Sequence, residues 1–141
     1  MKTVNQISAG GIVYKKEAGH TLWLITQHSQ HKGWVFPKGI VGDTNTGESM
    51  EQAAIREVEE EGGIKAAIVN KTPIETHYEY MWEGNLIKKT VFYFLMEYLS
   101  GEPENHDWEM MDAKFASVSE VKSTLTYDSD REAFEKLLQS L

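Results

Sequence analysis

The sequence predicts an α+β fold, a mixed β-sheet flanked by helices. Three observations carry that expectation. Stretches rich in β-branched and aromatic residues fill the N-terminal third and return between Ala66 and Tyr98. One segment in the middle and one at the end repeat apolar residues at helical spacing behind capping signals. Strands in meanders, with one helix inside the run and one closing it, put helices against a sheet.

Taken in order, Ile12–Tyr14 and Thr21–Thr26 read as strands joined by a hairpin turn over Glu17–His20, which contains Gly19. Trp34–Phe36 is a short apolar piece ended by Pro37, and a Gly/Asp/Thr/Asn loop runs from Gly39 to Gly47. Ser49 with Gln52 forms a capping box. Met50, Ala53, Ala54 and Val58 follow at helical spacing, and Gly62–Gly63 stops the helix. The β region comprises Ala66–Val69, Ile74–Trp82, a turn at Glu83–Asn85, and Leu86–Tyr98. Asp112–Val118 reads as another strand and Ser119–Ser123 as one helical turn. Ser129 and Glu132 make a second capping box, before a helix whose apolar face is Phe134, Leu137, Leu138 and Leu141.

Composition bounds what this fold serves. The 141 residues suit one domain over 1–141, with no repeat or linker. An apolar share of 40% with 26% charged residues is globular, not disordered. With no cysteine, thiolate catalysis, disulfides and zinc-thiolate sites are excluded, and a reducing compartment fits. No apolar stretch approaches the roughly 20 residues of a membrane span. Met1–Ser8 lacks the apolar core of a leader peptide, so a cytoplasmic protein without membrane partners is expected. The net charge of −8 argues against an extended nucleic-acid surface. A small phosphorylated ligand remains compatible, because a bound cation reverses the local field.

The most informative segment reads Arg-Glu-Val-Glu-Glu-Glu over residues 56–61. At about 100° per residue, Glu57, Glu60 and Glu61 fall on one side of the helix and Glu59 points away towards solvent. Such runs are ordinarily solvated faces. Here, however, they oppose the helix dipole in its last turn, and two charges about 6 Å apart repel by roughly 3 kcal/mol at an effective dielectric of 20. A hard divalent cation with oxygen ligands removes that conflict. Gly42, Glu48, Arg56, Glu57, Val58, Glu60, Glu61, Gly63 and Ile64 also fit G-x5-E-x7-R-E-U-x-E-E-x-G-U, with U a bulky aliphatic residue. Chance would produce that on the order of once in 10⁷ chains of average composition.

This pattern is the Nudix box, and the chain resembles the Nudix (MutT-like) hydrolases from Ser8-Ala9-Gly10-Gly11 through Phe36-Pro37-Lys38-Gly39 to the closing helix. The resemblance implies an α/β/α sandwich and Mg²⁺- or Mn²⁺-dependent hydrolysis of a nucleoside diphosphate linked to another group. It implies Glu57, Glu60 and Glu61 as metal ligands, with Glu57 placed to orient or deprotonate water. Arg56 would brace the site through Glu48, and a backbone carbonyl near Lys38–Gly39 would complete the metal shell. In relatives the first glycine of the box is usually the one in the Phe-Pro-x-Gly segment. Counted from Gly39 this loop carries three extra residues; counted from Gly42 the spacing is regular, so either glycine fits the structural role. Glu109 resembles an acid that binds metal or acts as base in many relatives, and equally reads as a solvated loop acid.

Lys89-Thr90-Val91-Phe92-Tyr93 and Leu125-Thr126-Tyr127 with Asp130-Arg131 resemble bacterial members that cleave diadenosine polyphosphates. That likeness implies Lys89 on phosphate and Tyr93 stacked on a base; strand alternation puts both on one face. A solvated lysine and a packed tyrosine are the plainer alternatives. Lys32 and Lys38 flank the loop and could meet phosphates, with a solvated surface lysine the plainer alternative, whereas Tyr127 and Arg131 read as fixing the closing helix. Trp34, Trp82 and Trp108 read as core or rim packing before base-pocket residues. The five histidines show no metal-ligand spacing. The expected substrate is a dinucleoside polyphosphate such as diadenosine tetraphosphate. A nucleoside triphosphate pyrophosphatase or an RNA 5′-end pyrophosphohydrolase stands close behind, and a non-catalytic nucleotide sensor is the alternative of another class. Monomer and homodimer are both compatible with the sequence.

Overall fold

The computed structural model describes residues 1–42 and 47–141. The chain runs β1 (Thr3–Glu17), β2 (His20–His28), β3 (Trp34–Val35), β4 (Lys38–Ile40), α1 (Met50–Gly62), β5 (Ile64–Ile68), β6 (Ile74–Trp82) and β7 (Asn85–Gly101). A 3-10 turn (Pro103–Asn105), β8 (Met110–Ala116), α2 (Val118–Thr124) and α3 (Asp128–Gln139) complete it. The strands join in one mixed sheet, ordered β3-β2-β1-β7-β5, with β4 against β1, β6 against β7 and β8 against β2. The long central strands β1 and β7 run parallel, from Thr3 opposite Leu86 to Tyr14 opposite Glu97.

Alternation along these strands feeds two cores. Ala9, Val13, Leu24, Phe94 and Met96 pack under Ala53, Ala54 and Val58 of α1. On the opposite face Ile12, Trp23, Ile25, Val91, Tyr93 and Leu95 pack under Val121, Ala133, Phe134 and Leu137 near or within α2 and α3. The expected helix–sheet–helix sandwich is therefore present. Two hairpin turns lie where turn chemistry put them, with Ala18 and Gly19, then Glu83 and Gly84, at positive φ. Helix α1 begins at the expected capping box of Ser49 and Gln52, and Gly63 in the left-handed conformation ends it.

Several boundaries differ from expectation. Strand β4 takes up the start of the segment read as a loop from Gly39, because it pairs with Ser8–Gly10 of β1. Strand β1 starts at Thr3, because its polar first half is held by β7 and β4 instead of by its own hydrophobicity. Strand β8 ends at Ala116, where the Ser117 side chain caps α2 by accepting the Glu120 N–H. The second capping box does not form: α3 begins at Asp128 behind Tyr127. There the Ser129 carbonyl accepts a bond from Thr76 Oγ1, and Arg131 ties Asp128 to the Leu125 carbonyl.

Candidate active site

A two-lobed cleft lies where β4 meets the C-terminal half of α1. One lobe, of about 380 Å³, is bordered by Val35, Tyr78, Tyr80, Tyr127 and Asp130. The adjoining lobe, also about 380 Å³, is bordered by Glu57, Glu60, Glu61, Glu109, Gly39 and Lys89. Lys38, His31, Tyr78 and Tyr80 border both. An aromatic compartment thus opens into an acidic one across a lysine.

Helix α1 distributes its acids as its periodicity requires. Glu57 and Glu61 are buried, Glu60 is half-exposed, and Glu59 faces solvent opposite Lys65. Arg56 binds this group together. Its Nε and Nη2 donate to Glu48 at 3.1 and 2.7 Å, and its Nη1 donates to Glu57 at 2.5 Å and Glu60 at 3.1 Å. The hydrogen bond from Arg56 holds the Glu48 carboxyl below the usual range, while the same bonds hold the guanidinium proton more firmly. Burial pushes the Glu57 carboxyl up despite Arg56, with Glu60 and Glu109 adding to the pressure. Burial, reinforced by Glu57, pushes Glu61 up to about 8 against the bond it accepts from the Lys38 N–H.

Gly39 answers the question of the two glycines. A Cβ there would lie 2.2 Å from the Glu57 carboxyl carbon, so only glycine lets β4 approach the acid. Gly42 has φ +80 with open space around it and donates its N–H to Glu48 at 3.2 Å, a turn role. The rest of the loop, residues 43–46, lies outside the described residues.

Arg56 occupies one oxygen each of Glu57 and Glu60 and the Lys38 N–H occupies one of Glu61, and among the described residues no three Asp, Glu or His side chains stand close enough together to hold an ion. The donor chemistry nevertheless fits a hard cation: four carboxylates, Glu57, Glu60, Glu61 and Glu109, border one lobe, the first and third of them buried, and the enclosed Ser8 Oγ bordering it has no hydrogen-bond partner among the described residues.

The cationic side comes from β4 and β7. Burial works against the charge of Lys38, but Asp130, Tyr78, Glu61 and Tyr127 outweigh it and hold its proton. Burial and the neighbouring Lys38 lower Lys89. Both lysines border the acidic lobe.

Tyr93 does not. It is 1% exposed, packs edge-on against Phe36, and donates its hydroxyl to Asp130 at 2.7 Å. A ring enclosed in this way offers no face to a base, so the stacking role is corrected to core packing. Tyr93→Phe is expected to cost about 1–3 kcal/mol of stability by leaving the buried Asp130 without its partner, as read by denaturant melts. Nucleotide KM values are expected to stay within twofold of wild type.

The aromatic residues that do reach the cleft are Tyr78 and Tyr80, stacked at 6.0 Å, and Tyr127, whose hydroxyl lies 3.1 Å from His31 Nδ1. His28 and His31, which spacing left without a role, stack at 4.3 Å and border the acidic lobe. Hairpin register carried a signal for Tyr78, since the turn at Glu83 and Gly84 pairs it with Lys89. No such signal marked the histidines. Trp82 and Trp108 are exposed, and Trp34 lies under the Lys114 ammonium.

The structure is thus a helix–sheet–helix sandwich whose acidic helix faces a lysine-bridged cleft. The NUDIX domain profile matches residues 4–137, and the chain belongs to the Nudix family, hydrolases of pyrophosphate-containing substrates that generally use a divalent metal. It is 32% identical over 141 residues to MutT4 of Mycobacterium tuberculosis, covering 96% of this chain and 55% of that protein. It is 34% identical over 128 residues to the asymmetrical bis(5′-nucleosyl)-tetraphosphatase of Caenorhabditis elegans, covering 84% of this chain and 90% of that enzyme. The chain therefore spans about half the length of MutT4. A crystal structure of C. elegans Ap4A hydrolase superposes with a TM-score of 0.71 at 24% identity, over 97% of this chain and 98% of that one, a likeness of fold.

Proposed function

We propose that this chain hydrolyses a phosphoanhydride bond of a dinucleoside polyphosphate such as diadenosine tetraphosphate, with Mg²⁺ or Mn²⁺. The observation that carries this reading is the aromatic lobe joined to the acidic lobe across Lys38. Tyr78 and Tyr127 suit a base, and Lys38 with Lys89 suits the phosphates that follow it. Glu57, Glu60 and Glu61, with the Gly39 carbonyl, would hold the cation, which neutralises phosphate charge and makes water more acidic. Glu57 would orient the attacking water, with its carboxylate held by Arg56, which Glu48 braces in turn. Glu109, bordering the same lobe, is a second candidate to bind the cation or act as base.

A nucleoside triphosphate is the second candidate, because the Tyr78–Tyr127 compartment by itself accommodates a substrate with one base. The experiment is a panel of mono- and dinucleoside polyphosphates incubated with protein and Mg²⁺, with products separated by ion exchange. Diadenosine tetraphosphate is expected to show the highest kcat/KM, and chelator is expected to stop turnover. Equal rates on a plain triphosphate would overturn the substrate preference. Binding without turnover would make the chain a nucleotide sensor.

A further inference from the structure

Tyr78 and Tyr127 furnish one stacking site, yet the proposed substrate carries a base at each end. The order of residues along the cleft gives the direction in which the second base leaves. Tyr127 borders only the aromatic lobe, Lys38 borders both, and Glu109 borders only the acidic one. A dinucleotide with its first base against Tyr127 would run its phosphates past Lys38 towards Glu109.

The segment met there is a tight turn. The Met110 N–H donates to the Asp107 carbonyl at 3.3 Å, and the Asp107 carboxylate accepts the Glu109 N–H at 3.1 Å. It is pinned from both sides. The Asp107 N–H donates to the Glu60 carbonyl at 2.8 Å, and the Glu109 carbonyl accepts the N–H and Oγ of Ser29 at 2.9 and 2.8 Å. The two residues at its tip are Glu109, which borders the cleft, and Trp108, which is 81% exposed. After Met1 it is the most exposed large apolar side chain among the described residues. An indole displayed to water on a fixed turn forgoes the burial that its area would otherwise contribute. Trp108 lines neither lobe; it directly precedes Glu109, which borders the acidic one.

We propose that Trp108 is the stacking platform for the second base of a two-base substrate, and so sets the preference for dinucleoside over mononucleoside polyphosphates. Base–aromatic stacking tolerates any base, because every base has a π-face. The platform therefore selects for the presence of a second base and not for its identity. This inference rests on the hydrolase reading for the direction of the phosphates.

The test is calorimetric binding, with Mg²⁺ present, of a nonhydrolysable diadenosine tetraphosphate and of a nonhydrolysable adenosine tetraphosphate. Trp108→Ala is expected to weaken the two-base ligand about tenfold and the one-base ligand less than twofold, with Trp108→Phe regaining most of the loss. Equal losses for both ligands, or no loss for either, would overturn the platform. So would wild-type protein that binds the two ligands equally. Selective loss in a protein that turns over neither ligand's hydrolysable parent would uphold the platform and overturn the hydrolase reading.

Discussion

Glu61→Gln is expected to lower kcat on a nucleotide substrate by on the order of 10²–10⁴-fold while making the metal-free protein more stable. The two effects have one cause. The carboxyl ordinarily titrates near 4.5, and burial with Glu57 beside it pushes that to about 8 in the folded chain. Below about 4.5 both folded and unfolded chains hold the proton. Between about 4.5 and about 8 the folded chain keeps a proton that the unfolded chain releases, so metal-free stability falls as pH rises, by ~1.4 kcal/mol per pH unit. Glutamine still accepts the Lys38 N–H but carries no charge to bury. Its metal-free melting temperature at pH 8 is expected to exceed wild type by about 5–15 °C, with the pH slope flattened. Scanning calorimetry from pH 4 to 9 with chelator reads this directly. A variant that melts lower than wild type at pH 8 would show that the acid stabilises the fold, contrary to a site strained for cation uptake.

Arg56→Ala is expected to act in the opposite sense, costing about 3–5 kcal/mol at pH 7. The guanidinium is the shared partner of Glu48, Glu57 and Glu60, and its loss leaves Glu57 enclosed without a counter-charge. The penalty depends on pH with a definite sign. Arg56 holds Glu48 below its usual range, so the stabilisation is present above about 4.5 and is lost as pH falls through the folded value. Urea melts of wild type and variant are expected to differ at pH 7 and to converge in acid. Arg56→Lys retains the charge but not the fork that reaches Glu48 through two nitrogens, and should recover only part of the loss. Melts that stay equal at pH 7 would mean that the ion pairs contribute nothing to the fold.

The acidic face of α1 was legible because helix periodicity is a local rule. Knowing only that residues advance about 100° each, Glu57 and Glu61 separate from Glu59, and the observed burial follows that division. The ends of the helix were legible for the same reason, since Ser49, Gln52 and Gly63 act on backbone groups within one turn. Tyr93 and Tyr78 show where local rules stop. Alternation and register put both on one face of the β6–β7 hairpin, and nothing in either strand says which end a helix covers. Packing of α3 decides it: Phe134 joins Phe36 over the Tyr93 end of the strand, and the Tyr78 end stays open as the cleft. The histidines follow the same logic, since His31 faces Tyr127 from 96 residues away.

The sequence by itself determined the mixed sheet with its flanking helices and the carboxylate-bearing helix, because each depends on periodicity within one element, while the Arg56–Glu48 pairing came from the resemblance to the Nudix box. Only the tertiary structure decided that Tyr78 and Tyr127, not Tyr93, border the cleft, and that Gly39 is the glycine against Glu57. Those outcomes depend on which surfaces of distant segments press together, and a side chain's exposure is a property of what covers it.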